Sequence, residues 1–407
     1  MTEILLGSAV FTGLILALTL IVLGARAVLI PRGLAHITVN GDRVVDADLG
    51  SRLLGALEHG GVHLPTSCGG VGTCGLCRVT VSGAGDVLPI ERATLTETDI
   101  AHGVRLACQV VVRDDLTIRV AEDLLAAESW SCTVSRTRSV APLIKEIVLA
   151  WPEGHARSLR AGSYVQATAP PFTLPFSRIV VEPAHEAAWA RLGLRQLTAG
   201  STVPVARAYS LANHPGEADA LCLNIRLALP PAGRPEVPPG VVSSYLFGLE
   251  VGDAVTVSGP FGDFFIKDTD REIVLVGGGV GMAPLRAHVF DQLECRKTSR
   301  TISYWYGARG RIDLFYDDDM ERLARDHRNF SWHVALSDPA PGDAWDGETG
   351  FIHDLVYRRY LKAHPDPAAC EYYLCGPPLM VEAVRALLER LGVAGENIMH
   401  DDFGAAW

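Results

Sequence analysis

Four cysteines constrain this chain more than any other feature. Cys68, Cys74 and Cys77 follow the pattern C-x5-C-x2-C, and Cys108 stands alone after thirty intervening residues. Two irons bridged by two sulfides need four thiolates in one small volume, three from a single loop and the fourth from a distant strand, and this spacing supplies that set. The loop also carries Gly69, Gly70, Gly72 and Gly75. Glycine takes positive φ without strain, which lets backbone N–H groups turn toward sulfur. A zinc knuckle is the competing reading, but zinc favours two C-x2-C-type pairs, and only Cys74 and Cys77 make one. The expectation is a [2Fe-2S] cluster held by Cys68, Cys74, Cys77 and Cys108.

The other five cysteines, Cys132, Cys222, Cys295, Cys370 and Cys375, are scattered without a disulfide framework, which suits a reducing compartment. At 407 residues, 48% hydrophobic and 20% charged, the chain is long and apolar enough for two or three full domains. A net charge of −11 with no Lys/Arg-rich run excludes a nucleic-acid partner, because phosphate binding needs concentrated positive charge. Ile4 to Ala25 holds 22 residues without a charge. As a helix this stretch would span roughly 33 Å, enough to cross a bilayer core. A cleaved secretory signal is the alternative, with Ala25-Arg26-Ala27 as its site, but the start Met1-Thr2-Glu3 lacks the positive n-region a signal needs. Arg26 and Arg32 follow the span and Glu3 precedes it, which places the C-terminal bulk in the cytoplasm. The span carries no ionisable residue, so this chain alone does not read as an ion pump.

Beyond the anchor, Ala35 to Val39 and Asp42 to Asp46 flank the hairpin signal Asn40-Gly41, and Ser51 to His59 reads as a helix with Leu53, Leu54 and Leu57 on one face. Strands over Arg78 to Val81, Leu106 to Val112 and Leu116 to Val120 complete a small β-rich unit with one main helix. Short strands at Glu146 to Ala150, Ser163 to Thr168, Val203 to Leu211, Leu221 to Ala228 and Ala254 to Ser258 predict an antiparallel β-barrel. From Arg271 the pattern becomes apolar runs separated by helical stretches, at Ile273 to Val276, Ile302 to Tyr306, Trp332 to Leu336 and Tyr372 to Leu374, which predicts an α/β parallel sheet. The expected division is therefore multidomain: a transmembrane anchor over 1–30, a cluster domain over 31–125, a barrel over 126–267 with an insertion at 170–204, and a parallel-sheet domain over 268–407.

Ile273 to Val276 runs into Gly277-Gly278-Gly279-Val280-Gly281 and then Met282-Ala283-Pro284. A buried strand entering such a turn ahead of a helix lets a pyrophosphate approach backbone N–H groups. Arg207-Ala208-Tyr209-Ser210 offers a cation for a flavin phosphate, a ring to stack and a hydroxyl, although the same tetrapeptide also suits an ordinary amphipathic strand. Gly240-Val241-Val242-Ser243-Ser244 precedes a helical stretch and suits either a second phosphate contact or simple N-capping.

These motifs, RxYS, GxxSS, GGGxGxxP and Cys375-Gly376-Pro377-Pro378, stand in the order and spacing of the ferredoxin-NADP reductase superfamily, which the chain resembles from about Ser129 to its end. With the cysteine unit in front, it resembles more narrowly the F subunits of Na⁺-translocating NADH:quinone reductases. The features that carry this are the N-terminal span, the x5 gap where plant-type ferredoxins have x4, the run Arg105-Leu106-Ala107-Cys108-Gln109, the insertion Pro170 to Pro204, and the ending Asp401-Asp402-Phe403-Gly404. The resemblance implies a β-grasp ferredoxin domain, an FAD barrel and an NADH domain in a single-pass protein of the bacterial inner membrane. It implies hydride transfer from NADH to FAD and single-electron transfer through the cluster to other membrane subunits of the complex. It implies that Tyr209 and Phe403 cover opposite flavin faces, that Phe403 moves when nicotinamide enters, and that Cys375 lies near the hydride path. The Ser210 hydroxyl suits a bond near the reacting flavin nitrogen on its own chemistry, and Phe403 packing the final helix or Cys375 as a buried apolar residue are the plain alternatives. A tethered reductase feeding an oxygenase shares the same parts, and a non-catalytic redox sensor is the alternative of another class. Two points stay open at this level. The insertion, with Phe172, Phe176, Trp189 and Leu192, reads equally as a docking surface or a lid, and Arg309 and Arg311 are able in principle to hold the 2′-phosphate of NADPH.

Overall fold

The computed structural model describes residues 11–21, 24, 33–66, 68–125, 128–154, 159–231, 233–234 and 236–401. Two compact units emerge, one from Met1–Leu64 with Gly70–Leu125, the other from Pro65–Gly69 with Ala126–Trp407.

In the first unit, Leu34–Val39 and Arg43–Asp48 pair antiparallel, and Asn40 (φ 52°) and Gly41 (φ 91°) turn the chain between them as the Asn-Gly signal predicts. The five-stranded sheet runs in the order Arg43–Asp48, Leu34–Val39, Leu116–Arg119, Arg78–Ser82, Val104–Leu106, with Leu34–Val39 parallel to Leu116–Arg119. The helix Leu53–His59 buries Leu53, Leu54 and Leu57, as its spacing predicts. The expected strand over Leu106 to Val112 is corrected: the ladder ends at Leu106, the chain turns over residues 107–109 to present Cys108, and an isolated antiparallel bridge joins Val111 to Arg52. Two further short helices, Pro89–Thr94 and Glu97–Ala101, lie outside the sequence expectation, and the first buries a glutamate where apolar periodicity gives no signal.

The second unit carries a six-stranded antiparallel sheet in the order Val205–Ser210, Tyr164–Ala169, Ala254–Phe261, Glu128–Ala141, Ile144–Ala150, Ala220–Arg226. Its end strands are linked by an antiparallel bridge between Leu211 and Leu223. The longest strand, Glu128–Ala141, escapes the sequence pattern because its outward face is rich in Ser, Thr and Arg and its pairing shifts register twice. A six-stranded parallel sheet follows, in the order Glu348–Thr349, Phe330–Leu336, Ile302–Ala308, Ile273–Gly278, Glu371–Cys375, Ile398–Asp401. Every residue of Ile273–Gly278 is buried, as a central parallel strand requires. Strand order reverses beside it, since its neighbours are Ile302–Ala308 on one side and Glu371–Cys375 on the other. A ligand crevice opens at the C-terminal end of such a switch point.

The insertion folds into a two-stranded sheet, Phe172–Pro175 with Thr198–Ser201, and the helix Pro183–Arg191. Phe176 and Trp189 are fully buried in the core of the antiparallel-sheet region, and Trp189 donates its indole N–H to the Pro142 carbonyl (2.7 Å). The docking reading is corrected for these two residues, which anchor the insertion from below. Leu192 remains exposed. Residues 11–21 are helical with exposed Phe11, Leu14 and Leu18. No described helix is long and apolar enough to cross a membrane, and the expected span includes residues 4–10, 22–23 and 25, outside the described residues.

Candidate functional site

The cysteine loop is shaped by what presses on it. Gly72 has φ +96°, and a Cβ there would meet the Gln109 side chain at 2.7 Å; Gly75 has φ +69°, and a Cβ would meet Thr94 Cγ2 at 2.9 Å. Gln109 Nε2 donates to the Gly70 carbonyl (3.2 Å) and the Cys108 Sγ (3.3 Å), and Thr94 Oγ1 donates to the Gly72 carbonyl (3.1 Å). Cys77 and Cys108 are buried and Cys74 is half-buried. A hydrogen bond with Cys108, burial, and the charges of Cys108 and Cys74 all push the Cys77 thiol up. The Cys77 thiol so placed resists ionisation beside Cys108 and Cys74, and a pair of iron cations would relieve that opposition, so these residues fit a [2Fe-2S] cluster. Cys68, in the segment Pro65–Gly69, is half-buried.

A clamp that sequence spacing does not reveal holds the strand that leads to Cys108. Glu91, fully buried, takes Arg105 Nε (2.9 Å) and Nη2 (2.7 Å), together with the N–H groups of Leu88 (2.9 Å) and Leu106 (3.0 Å). Arg105 also donates to the carbonyls of Ala84, Gly85 and Asp86. Burial alone would raise the Glu91 pKa, but the Arg105 bonds and the two N–H donors hold it below the usual carboxylate range.

In the second unit a cavity of about 630 Å³ opens where the parallel sheet changes direction, within the size range of cofactor sites. One wall comes from Arg207, Ala208, Tyr209 and Ser210, with Gly240 to Ser243; the other from Gly278, Gly279, Val280, Gly376 and Pro377. Arg207 Nη1 donates to the Ala206 carbonyl (2.8 Å), and burial pushes the Tyr209 phenol up. Ser210 Oγ donates to Asp401 Oδ2 (2.7 Å), a partner that sequence spacing across 191 residues could not reveal. Ser243 Oγ donates to the Gly240 carbonyl (3.1 Å) and accepts the Ala228 N–H (3.2 Å).

Several expected contact residues do not line this cavity. Ser244 is fully buried behind it, because one residue along a helix turns the side chain about 100° away. Gly277 is a packing glycine, since a Cβ would strike Leu285 at 2.7 Å and Tyr304 Oη at 2.9 Å. Gly281 lets the helix Met282–Phe290 start against the Cys375 carbonyl, where a Cβ would lie at 1.9 Å. Pro284 is buried in the first turn of that helix, where no intrahelical N–H bond is lost. Cys375 is fully buried and leaves the wall to Gly376 and Pro377. Gly279 behaves differently. Its φ is +56° and, among the described residues, a Cβ would meet nothing within 4 Å, so the backbone there is bare, the cradle a pyrophosphate needs. Phe403 lies outside the described residues.

Of the two arginines that follow the strand Ile302–Ala308, Arg309 pairs with Asp338 (3.3 Å), and Arg311 donates to the carbonyls of Asp343 (3.1 Å) and Ala344 (3.3 Å).

Residues 37–113 match the 2Fe-2S iron-sulfur cluster binding domain family, residues 195–266 the oxidoreductase FAD-binding domain, and residues 275–386 the oxidoreductase NAD-binding domain. Along its length the chain is 46% identical over 406 residues to the F subunit of the Na⁺-translocating NADH-quinone reductase of Methylococcus capsulatus, covering 99% of this chain and 100% of that one. The F subunit of the Neisseria meningitidis enzyme is 47% identical over 403 residues, with 99% and 100% covered. The chain belongs to this family of F subunits. As a member it is an oxidoreductase whose domains take a [2Fe-2S] cluster, FAD and NADH. Among solved structures, the Amycolatopsis reductase GcoB is similar at TM-score 0.65 and 29% identity, covering 92% of this chain and 100% of its own. The ferredoxin reductase of carbazole 1,9a-dioxygenase has the same fold at TM-score 0.59 and 22% identity, with 92% and 99% covered.

Proposed function

We propose that this chain is the electron-input subunit of a Na⁺-translocating NADH:ubiquinone reductase, and that it hands single electrons to membrane partner subunits of that complex. What carries the reading is one chain with both a cysteine nest and a hydride-type crevice, alike over its whole length to the F subunits of such reductases. When bound, FAD takes up the hydride of NADH and the [2Fe-2S] cluster passes electrons one at a time.

The protein's part is to hold and orient. Arg207 takes a flavin phosphate with the turn at Gly240 and Ser243, and Tyr209 and Phe403 cover the two flavin faces. Ser210 donates its proton to Asp401, so the Ser210 oxygen would offer lone pairs to an N–H group of a bound flavin. The bare backbone at Gly279, next to Gly278 in the crevice wall, receives the NADH pyrophosphate, while Gly376 and Pro377 flank the nicotinamide. Cys375 acts through its backbone, as a positioning residue under that wall. Asp338 pairs with Arg309, one of the two arginines suited to a 2′-phosphate, which favours NADH. Cys68, Cys74, Cys77 and Cys108 ligate the cluster.

The domains we propose are an anchor over 1–30, the β-grasp ferredoxin over 31–125, a closed FAD barrel over 126–267 and the NADH domain over 268–407. The apolar stretch from Ile4 to Ala25 is long enough to cross the bacterial inner membrane once, and Arg26 and Arg32 favour a cytoplasmic C-terminal side. Tethering keeps a membrane partner at high effective concentration. The test is NADH:quinone activity in membranes with and without the intact chain, at low and high Na⁺. Chain-dependent activity that Na⁺ stimulates is expected; NADH oxidation without chain-dependent quinone reduction would move the protein to the oxygenase-reductase class.

A further inference from the structure

The strands Ile273–Gly278 and Glu371–Cys375 run parallel, with Ile273 opposite Glu371. Their C-terminal ends build the crevice. Their N-terminal ends, roughly 20 Å away at about 3.3 Å per residue, are preceded by Glu272 and Cys370, which are therefore neighbours. His364, from the loop ahead of Cys370, reaches between them. Its Nε2 lies 3.3 Å from Glu272 Oε2 and 3.7 Å from Cys370 Sγ, and all three donor atoms fall within 4.8 Å of one another.

We propose that Glu272, His364 and Cys370 form a binding site for a thiophilic divalent cation of the zinc class, separate from the cluster and the flavin crevice. Tetrahedral geometry with Zn–N and Zn–O near 2.0–2.1 Å and Zn–S near 2.3 Å puts N and O about 3.3 Å apart and S and N about 3.6 Å apart. The imidazole already stands at those spacings from the carboxylate and the thiol, and the carboxylate and thiol lie within 4.8 Å of each other.

The adjacent carboxylate shows why Glu272 is unusual. Glu371 is fully buried and fully used, by Arg300 (2.8 Å), Thr269 (2.7 Å) and Tyr373 (3.0 Å). Glu272 has the imidazole contact on one oxygen, and its other oxygen, Oε1, is buried with no hydrogen-bond partner among the described residues. A carboxylate, a thiolate and a neutral imidazole balance a double positive charge, and three protein ligands leave one position for water. Binding replaces the Cys370 thiol proton, which leaves to solvent. The Asp366 N–H donates to His364 Nδ1 (3.2 Å), so the ring proton sits on Nε2 in the metal-free triad. Uptake moves it to Nδ1 and gives up that contact, which lowers affinity without removing a ligand.

The test loads the intact protein, with cluster and FAD in place, with Zn²⁺ and reads metal content and zinc K-edge EXAFS. The expected result is one zinc per chain, with one sulfur near 2.3 Å and the remaining shell of N/O near 2.0–2.1 Å, at a Kd of about 10 µM or below. Glu272→Gln is expected to weaken binding roughly tenfold, and Cys370→Ser to remove the sulfur shell, with cluster and flavin absorbance unchanged in both. Glu272→Gln, on the more exposed member, keeps the test valid if Cys370→Ser folds poorly. A four-sulfur shell would place zinc in the cluster nest, binding that survives both variants would place it elsewhere, and no zinc at about 100 µM would leave the triad a plain hydrogen-bonded cluster; each overturns the proposal.

Discussion

The cysteine nest and the flavin–nicotinamide crevice are two redox sites of opposite construction. Three of the nest's four cysteines lie within ten consecutive residues, and the loop's shape is written into the same stretch as glycines. The crevice takes its walls from Arg207, Gly240, Gly279 and Gly376, and its Ser210 depends on Asp401, a partner 191 residues away. A metal cluster recruits its own ligands at short range, whereas a dinucleotide crevice exists only once a sheet has set its strand order. The nest should therefore fail all at once when one ligand is lost, and the crevice by degrees.

Cys74→Ser breaks the comparison most directly if it is wrong. Cluster iron is expected to fall from two per chain to none and transfer to one-electron partners to background, while NADH:ferricyanide activity stays near wild type. Equal loss of both activities would contradict independent sites.

Next in size is the clamp beneath the nest. Glu91→Ala leaves Arg105 buried without its anion and is expected to cost about 3–5 kcal/mol in cluster-domain stability, read as the denaturation midpoint of the cluster absorbance. The folded Glu91 pKa is depressed below its ordinary 4.5, so its contribution is present above that value and is lost as pH falls through the lower folded one. Wild-type cluster retention is expected to drop across that acid window, and Glu91→Gln to remove that part of the pH dependence.

Within the crevice, Ser210→Ala is expected to slow flavin reduction by NADH about a hundredfold, and Asp401→Asn by less, with NADH binding little changed. Stopped-flow rates separate the two terms. An equal rise in KM with kcat intact would assign Ser210 to binding alone. The smallest effect sharpens the cofactor choice: Asp338→Ser is expected to improve NADPH relative to NADH by about tenfold in kcat/KM, through release of Arg309.

The same contrast explains what the sequence could disclose. The hairpin at Asn40-Gly41, the helix with Leu53 and Leu57, the central strand Ile273–Gly278 and the cysteine spacing are local patterns, and the structure has them where expected. What failed was non-local. The strand ending at Leu106 stops because Cys108 must turn inward, Glu128–Ala141 hides behind a polar face, and Glu91 is buried only because Arg105 meets it. In the glycine run, sequence could not separate Gly279, bare toward the cavity, from Gly277 and Gly281, which exist for packing. Phe176 and Trp189 suggest a surface for a partner when read in the sequence, and their burial shows that aromatic content in an insertion measures how it is fastened.

The central claim is that hydride taken up in the crevice leaves as single electrons through the nest. Anaerobic addition of NADH to the intact chain, followed by flavin absorbance and by the electron paramagnetic resonance signal of a reduced [2Fe-2S] centre, tests it in one experiment. The expected result is flavin bleaching together with a cluster signal that grows with NADH and disappears in Cys74→Ser; flavin bleaching while the cluster stays oxidised would contradict the account.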